Sequence, residues 1–215
     1  MGQDAYLTVA LSKGRLAEEA CALFTRCGWD CSMLRDPGRR LILEDPRQKL
    51  RFILAKPSDV PIYVAYAAAD LGVVGKDTLL EAGRTLYEVA DLGFGACRIC
   101  ICGPKAKADT WESIVPKRVG TKYPLITQSY FQDLRRERVE IIKLNGSVEL
   151  APLTGLADMI VDIVESGRTL EENGLCVWKV IQTVSARLVV NRVSMNMQAE
   201  RIRPLVEALR RERRP

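Results

Sequence analysis

The sequence predicts an α/β protein of two lobes. Short β-branched runs alternate with longer amphipathic stretches along the whole chain, the pattern of strands and helices that share a core. The same texture starts afresh after Asp91-Leu92-Gly93-Phe94-Gly95 with no low-complexity linker between, so a second lobe follows the first directly. A chain of 215 residues is long enough to bury a proper core in such an arrangement.

Leu7 to Leu11 reads as the first strand, and Ser12-Lys13-Gly14-Arg15 as a polar turn after it. Leu16, Ala20, Leu23, Phe24 and Cys27 then repeat at helical spacing until Gly28 stops the helix. Leu41 to Glu44 and Leu50 to Leu54 read as strands separated by Asp45-Pro46. Lys56-Pro57-Ser58-Asp59-Val60-Pro61 turns into a helix through Ala69, and Leu71 to Val74 is a buried strand closed by Gly75. In the second lobe, Cys97 to Cys102, Arg118 to Thr121, Val139 to Leu144 and Ile160 to Val164 read as strands. Asp109 to Ile114, Ile126 to Arg136, Leu153 to Met159 and Thr169 to Asn173 read as helical, the last ended by Gly174. Val177 to Asn191 is one long β-rich run, and Gln198 to Arg211 a terminal amphipathic helix. The chain is expected to cross between lobes near Gly93 to Gly95 and again near Gln182 to Ser185. Residues 1–95 with 184–215 then form lobe I and residues 96–183 lobe II, with sites expected in the cleft between them.

Composition narrows the function. No run approaches the roughly 18 apolar residues of a membrane span, and Met1 to Ala5 lacks the basic start and apolar middle of a secretory signal. The expected address is cytoplasmic. Seven cysteines, an odd number spread along the chain, suit reduced thiols better than a disulfide framework. Cys97, Cys100 and Cys102 invite a metal reading, but an extended strand turns Cys97 away from the other two, and the chain has no histidine. Arg210, Arg211, Arg213 and Arg214 supply most of the net charge of +5 as a solvated basic tail. No aromatic-basic interleaving supports nucleic-acid binding, which leaves anionic small molecules as the better-supported partner.

The chemistry concentrates in Asp162-Ile163-Val164-Glu165-Ser166-Gly167-Arg168-Thr169. A buried strand ends in a turn where backbone N–H groups and the hydroxyls of Ser166 and Thr169 converge, with a helix start behind them. Gly167 lets the backbone approach an anion closely, and Arg168 adds a charged clamp. Asp162 and Glu165 suit ribose hydroxyls or hydrated Mg²⁺. Phosphates on one side and sugar hydroxyls on the other describe a 5-phosphoribosyl group. Taken alone, the stretch serves equally well as a turn that caps a helix, with Glu165 solvated.

The segment resembles the phosphoribosyl-pyrophosphate loop of phosphoribosyltransferases, with one departure. The commonest class carries two adjacent acidic residues, and here Val161 precedes Asp162. Further landmarks run in order along the chain: Leu11-Ser12-Lys13-Gly14-Arg15-Leu16, Lys56 to Pro61, Ala69 to Asp77, Asp91 to Gly95, Leu144 to Glu149, Gly155 through Leu175, and Ser185 to Asn191. Together they are similar to the ATP phosphoribosyltransferase family over nearly the whole chain.

That resemblance implies a two-lobed fold like type II periplasmic binding proteins, with the active site in the interlobe cleft. It implies condensation of ATP with 5-phosphoribosyl 1-pyrophosphate, with Mg²⁺, in the first step of histidine biosynthesis. Glu165, Ser166, Gly167, Arg168 and Thr169 would hold the 5-phosphate, Asp162 would stand near the ribose, and Glu149 would meet the ribose or Mg²⁺. Lys13, Gly14 and Arg15 would meet polyphosphate, and Arg51, Lys56 and Asp70 are candidates for ATP or pyrophosphate. The length suggests the short form, which works with a regulatory subunit related to histidyl-tRNA synthetase in a hetero-oligomer. Each residue also has a plainer role open to it. Lys13 and Arg15 could be a solvated turn, Asp70 could cap its strand, Arg51 could form a rim salt bridge, and Glu149 could be a surface charge. The alternative to an enzyme is a non-catalytic small-anion binding module of the same fold.

Overall fold

The computed structural model describes residues 6–212. Met1 to Ala5, Arg213 and Arg214, on which part of the sequence reading rests, lie outside the described residues. The chain forms two compact units, one taking residues up to Gly95 and from Ser185 onward, the other Ala96–Val184.

The first unit opens with β1 (Leu7–Ser12), α1 (Arg15–Arg26), β2 (Ile42–Asp45), β3 (Leu50–Ala55), α2 (Val60–Ala65), β4 (Leu71–Gly75), α3 (Lys76–Ala82) and β5 (Tyr87–Asp91). The second unit holds β6 (Cys97–Pro104), β7 (Lys117–Thr121), α4 (Pro124–Gln128) and β8 (Val139–Lys143). It continues with α5 (Leu150–Leu153), β9 (Met159–Val164), α6 (Arg168–Glu172) and β10 (Leu175–Val184). Back in the first unit come β11 (Ala186–Val190), α7 (Arg192–Met197) and α8 (Ala199–Glu212).

The first unit's sheet runs β2-β3-β1-β4-β11-β5. β1, β3 and β4 are parallel, so their carboxyl ends share one edge. Every residue of β1 is buried, as expected of a central strand covered on both faces. On one face, α1 and α8 pack Leu23, Phe24, Ile202, Leu205 and Leu209 against Val9, Leu11 and Phe52. On the other, Val60 and Val64 of α2 meet Ala10, Val74 and Val189. The second unit's sheet runs β10-β6-β9-β7-β8, with β7, β8 and β9 parallel and β6 antiparallel to β9.

Each sheet, taken by itself, carries the same kind of strand-aligning joint at its amino-terminal edge. Asp70, just before β4, takes the Thr8 N–H on its carboxylate at 2.7 Å, while its own N–H bonds to the Thr8 carbonyl. Asp158, just before β9, takes the Arg118 N–H at 3.0 Å, and its N–H bonds to the Arg118 carbonyl. An Ala-Asp dipeptide thus aligns a pair of parallel strands in each unit.

Two sequence readings change. The β-rich run from Val177 is two strands, cut at Ser185, and the halves belong to different sheets. The stretch Leu153 to Met159 is not a helix. α5 ends at Leu153, Gly155 turns left-handed at φ 72°, and Met159 already begins β9. Arg210, exposed as expected of the basic tail, is nonetheless tied down: its guanidinium donates to the Val89 carbonyl at 2.8 Å and joins α8 to β5. Elements the sequence reading passed over are α3, β5 and α7. Among the described residues, no helix is long and apolar enough to cross a membrane.

Candidate active site

In the second unit, register fixes what stands at the carboxyl edge. Thr121 pairs with both Lys143 and Val161, so β7 and β8 end together while β9 runs on past them to Val164. Beyond β9 the backbone turns through Glu165, Ser166, Gly167, Arg168 and Thr169. All of these are exposed except Gly167, which is half-buried. Gly167 sits at φ 83° as the residue before α6. That left-handed conformation is free to glycine and costly to other residues. A Cβ there would meet only Val164 Cγ1 at 3.8 Å, so conformation rather than space demands the glycine. The Arg168 N–H leans on Ser166 Oγ at 3.4 Å, and Asn173 donates to the Thr169 carbonyl at 2.8 Å, closing the loop's far side. α6 has only five residues. Its dipole is therefore small, and the loop's own amides and hydroxyls supply most of any attraction for an anion.

Glu149 lies half-buried where the chain turns after β8, immediately before α5. Asp162 is half-buried inside β9, opposite Cys100 of β6. Glu149 and the loop therefore share a sheet edge, while Asp162 stands within the strand that leads to it. Among the described residues, no three Asp, Glu, Cys or His side chains gather as a metal cage.

The first unit has a matching edge. β1 ends at Ser12 beside Ala55, the last residue of β3, so Lys13, Gly14 and Arg15 stand beside Lys56. Lys13, Gly14 and Arg15 are exposed. Gly14 caps α1 at φ 99° with no side-chain hydrogen bond, so the first amides of this twelve-residue helix lack a protein side-chain cap. Arg15 reaches Glu19 at 3.7 Å along the helix, with its side chain 60% exposed, a contact too weak to hold it against a stronger anion.

Arg51 and Asp70 are not brought to that edge. Arg51 pairs with Thr8 near the opposite end of the strands, bonds Glu44 at 2.7 Å and lies over the Tyr6 ring at 5.0 Å. The rim salt bridge was its plainer role. Asp70 stands at the same far end, its two carboxylate oxygens taken by the Thr8 N–H and, at 2.5 Å, by the Ser194 hydroxyl. It clips strands with both of its oxygens engaged, at the end of the sheet opposite Lys13 and Lys56.

A family model described as ATP phosphoribosyltransferase matches residues 56–211. A relative of that name from Ruminiclostridium cellulolyticum is 59% identical over 207 residues, covering 96% of this chain and 97% of its own length. The chain belongs to the ATP phosphoribosyltransferase family. Another relative of that name, from Lachnospira eligens, is 52% identical over 96% of both chains. The ATP phosphoribosyl transferase (HisG:HisZ) complex from Thermotoga maritima matches at 34% identity, with a TM-score of 0.81 over 95% of this chain and 96% of that one. The periplasmic aliphatic sulphonate binding protein SsuA from Escherichia coli is only 13% identical, with a TM-score of 0.63 over 95% of this chain and 71% of that one. It shares the fold alone, which is the type II periplasmic-binding-protein fold expected of an ATP phosphoribosyltransferase.

The ATP phosphoribosyltransferase edges also carry residues the sequence reading left without a role. Arg98 of β6 pairs with Val164, directly before the loop. Asp91 takes the Ser185 hydroxyl at 2.9 Å and the Arg187 guanidinium at 2.9 Å, pinning β5 to β11 where the chain re-enters the first unit. Both lay within or beside quoted landmarks. Only strand pairing, which the sequence does not display, reveals their position.

Proposed function

We propose that the chain is the catalytic subunit that condenses ATP with 5-phosphoribosyl 1-pyrophosphate, giving N1-(5-phosphoribosyl)-ATP and pyrophosphate in the first step of histidine biosynthesis. The observation that carries this reading is the Glu165 to Thr169 loop at the carboxyl edge of β9, in a chain of this family. Ligands of open α/β sheets bind at that edge.

In this reading Ser166, Gly167, Arg168, Thr169 and the Glu165 backbone hold the 5-phosphate. Asp162 and Glu149 face the ribose. Lys13, Arg15, Lys56 and the α1 amides at Gly14 take polyphosphate. As the ribose C1–O bond breaks, positive charge grows on the sugar and negative charge on the leaving pyrophosphate. Carboxylates near one and cations near the other stabilise that separation. Adenine N1 is nucleophilic as it stands, so the residues act by orienting reactants and need no covalent intermediate or strong base. Mg²⁺, were it to arrive bound to pyrophosphate, would supply charge neutralisation there, and an ion carried by substrate oxygens would need only one or two protein carboxylates. Glu149 and Asp162 are the residues that would supply them.

We propose further that the chain works with a regulatory subunit, as the Thermotoga maritima complex pairs HisG with HisZ. That partner is expected to resemble the catalytic core of histidyl-tRNA synthetase and to confer inhibition by histidine. The test mixes ATP, phosphoribosyl pyrophosphate and Mg²⁺ with the subunit, alone and with its partner, and follows phosphoribosyl-ATP by near-ultraviolet absorbance. Product that rises with the partner and falls with histidine supports the reading. Tight ligand binding with no product under either condition would favour a non-catalytic small-anion binding module.

A further inference from the structure

The loop after β9 carries one cation of its own, Arg168, whose side chain is exposed. A dianionic phosphate held by so short a loop would call for more positive charge than that. The neighbouring strand supplies it. β6 runs antiparallel to β9, with Arg98 paired to Val164, the residue before the loop, and Cys100 paired to Asp162. Arg98 is half-buried, so its charge is less screened by water than that of Arg168.

Alternation along the strand decides which face Arg98 uses. Cys100 and Cys102 belong to the core cluster that holds Ile160, Val164 and Leu170. Arg98 is in step with those two cysteines and projects from the same face. Leu170 lies in α6, so this is the face over which the loop passes from β9 into its helix. Val164, opposite Arg98, is also the side chain nearest the loop's glycine, its Cγ1 standing 3.8 Å from where a Cβ on Gly167 would be. Residues paired across strands have Cβ atoms about 5 Å apart, a gap shorter than an arginine side chain. Among the described residues, no hydrogen bond or ion pair joins the Arg98 guanidinium to a carboxylate. Its neighbours across the sheet are Val164 on one side and Thr183 on the other, and a half-buried cation beside such groups is costly unless an anion meets it.

We propose that Arg98 is a phosphate-binding residue, donating from β6 to the same phosphate monoester that the Glu165 to Thr169 loop holds. The inference rests on the function proposed above, since the loop's ligand is the 5-phosphate of that reading. The loop's amides and hydroxyls would cover one side of the phosphate and the planar guanidinium another, with two N–H groups available to two oxygens. Asp162 lies on the same face of β9, two residues before Val164. Arg98 thus separates the phosphate end of the ligand from the carboxylate assigned to its ribose.

The experiment titrates ribose 5-phosphate into the full chain by calorimetry and, in the assembled enzyme, varies each substrate separately. Arg98→Ala should weaken ribose 5-phosphate about 10- to 100-fold, as expected on losing a charge-assisted hydrogen bond. It should raise the Michaelis constant for phosphoribosyl pyrophosphate by a similar factor and leave that for ATP within about twofold. Arg98→Lys, which keeps the charge without the fork, should recover part of the loss. Arg98→Gln keeps most of the apolar stem and no charge, so it carries the test where Arg98→Ala fails to fold. Ribose 5-phosphate bound equally well by the native chain and Arg98→Gln, or an equal loss for both substrates, would overturn the proposal. So would a variant that lowers the urea midpoint while phosphate affinity stays put, the result expected if Arg98 only supports the fold. A native chain that binds ribose 5-phosphate through Arg98 yet makes no phosphoribosyl-ATP would sink the functional reading and leave the binding residue standing. A native chain that takes no ribose 5-phosphate would overturn both.

Discussion

Gly167 shows how a single residue sets the candidate phosphate loop. Its φ of 83° costs an alanine about 1–2 kcal/mol, yet the nearest atom to an added Cβ is an ordinary contact away. Gly167→Ala should therefore fold, lose a few degrees of thermal stability, and raise the Michaelis constant for phosphoribosyl pyrophosphate more than that for ATP. Steady-state kinetics with each substrate varied separately check this. An equal rise for both substrates would count against the loop's assignment. The residue scale is also where the sequence was least complete. Asp70 looked like a ligand candidate because the groups that occupy it lie 62 and 124 residues away, and no local pattern announces such partners. Gly14 and Gly167 were legible because a glycine after a strand and before a helix has few other reasons to be there.

At the scale of elements, the paired Ala-Asp joints bear the strand order. Asp70→Ala leaves the buried Thr8 N–H and Ser194 hydroxyl without their acceptor, which should cost about 2–4 kcal/mol, read from urea unfolding. Asp158 tests the same device by pH. Hydrogen bonds from Arg118 hold its carboxyl below the usual aspartate range despite burial. A depressed carboxyl contributes stability that is present above its unfolded value and lost as pH falls through its folded value. Asp158→Asn should thus be less stable than the native chain at neutral pH and should flatten the loss of melting temperature toward roughly pH 3. An unchanged acid slope would refute the assignment. Most strands were legible from their β-branched runs. The run from Val177 was legible as strand and the lobe crossing near Gln182 to Ser185 as a crossing, but which sheet each half joins was not, because distant partners decide it. Leu153 to Met159 misled because its apolar spacing fits a helix, while Gly155 and the strand-aligning Asp158 impose a turn.

On the scale of the whole molecule, strand direction decides which cations can serve. Lys13, Arg15 and Lys56 follow the carboxyl ends of β1 and β3, and Arg51 lies near their opposite ends. The fold class and the candidate loop at Glu165 to Thr169 were legible from order along the chain, but this division of the basic residues needed the register. The subunit alone should also turn over slowly and ignore histidine, and it should gain both activity and histidine inhibition with its partner, as assays at matched concentrations would show. The most direct measurement compares kcat/KM for Arg15→Ala and Arg51→Ala in the assembled enzyme. The account predicts a loss of roughly 10²-fold for Arg15→Ala, in the range for removing one donor to developing charge, and a change within about twofold for Arg51→Ala, an exposed ion pair. Equal losses in the two variants, or the larger loss at Arg51, would contradict it.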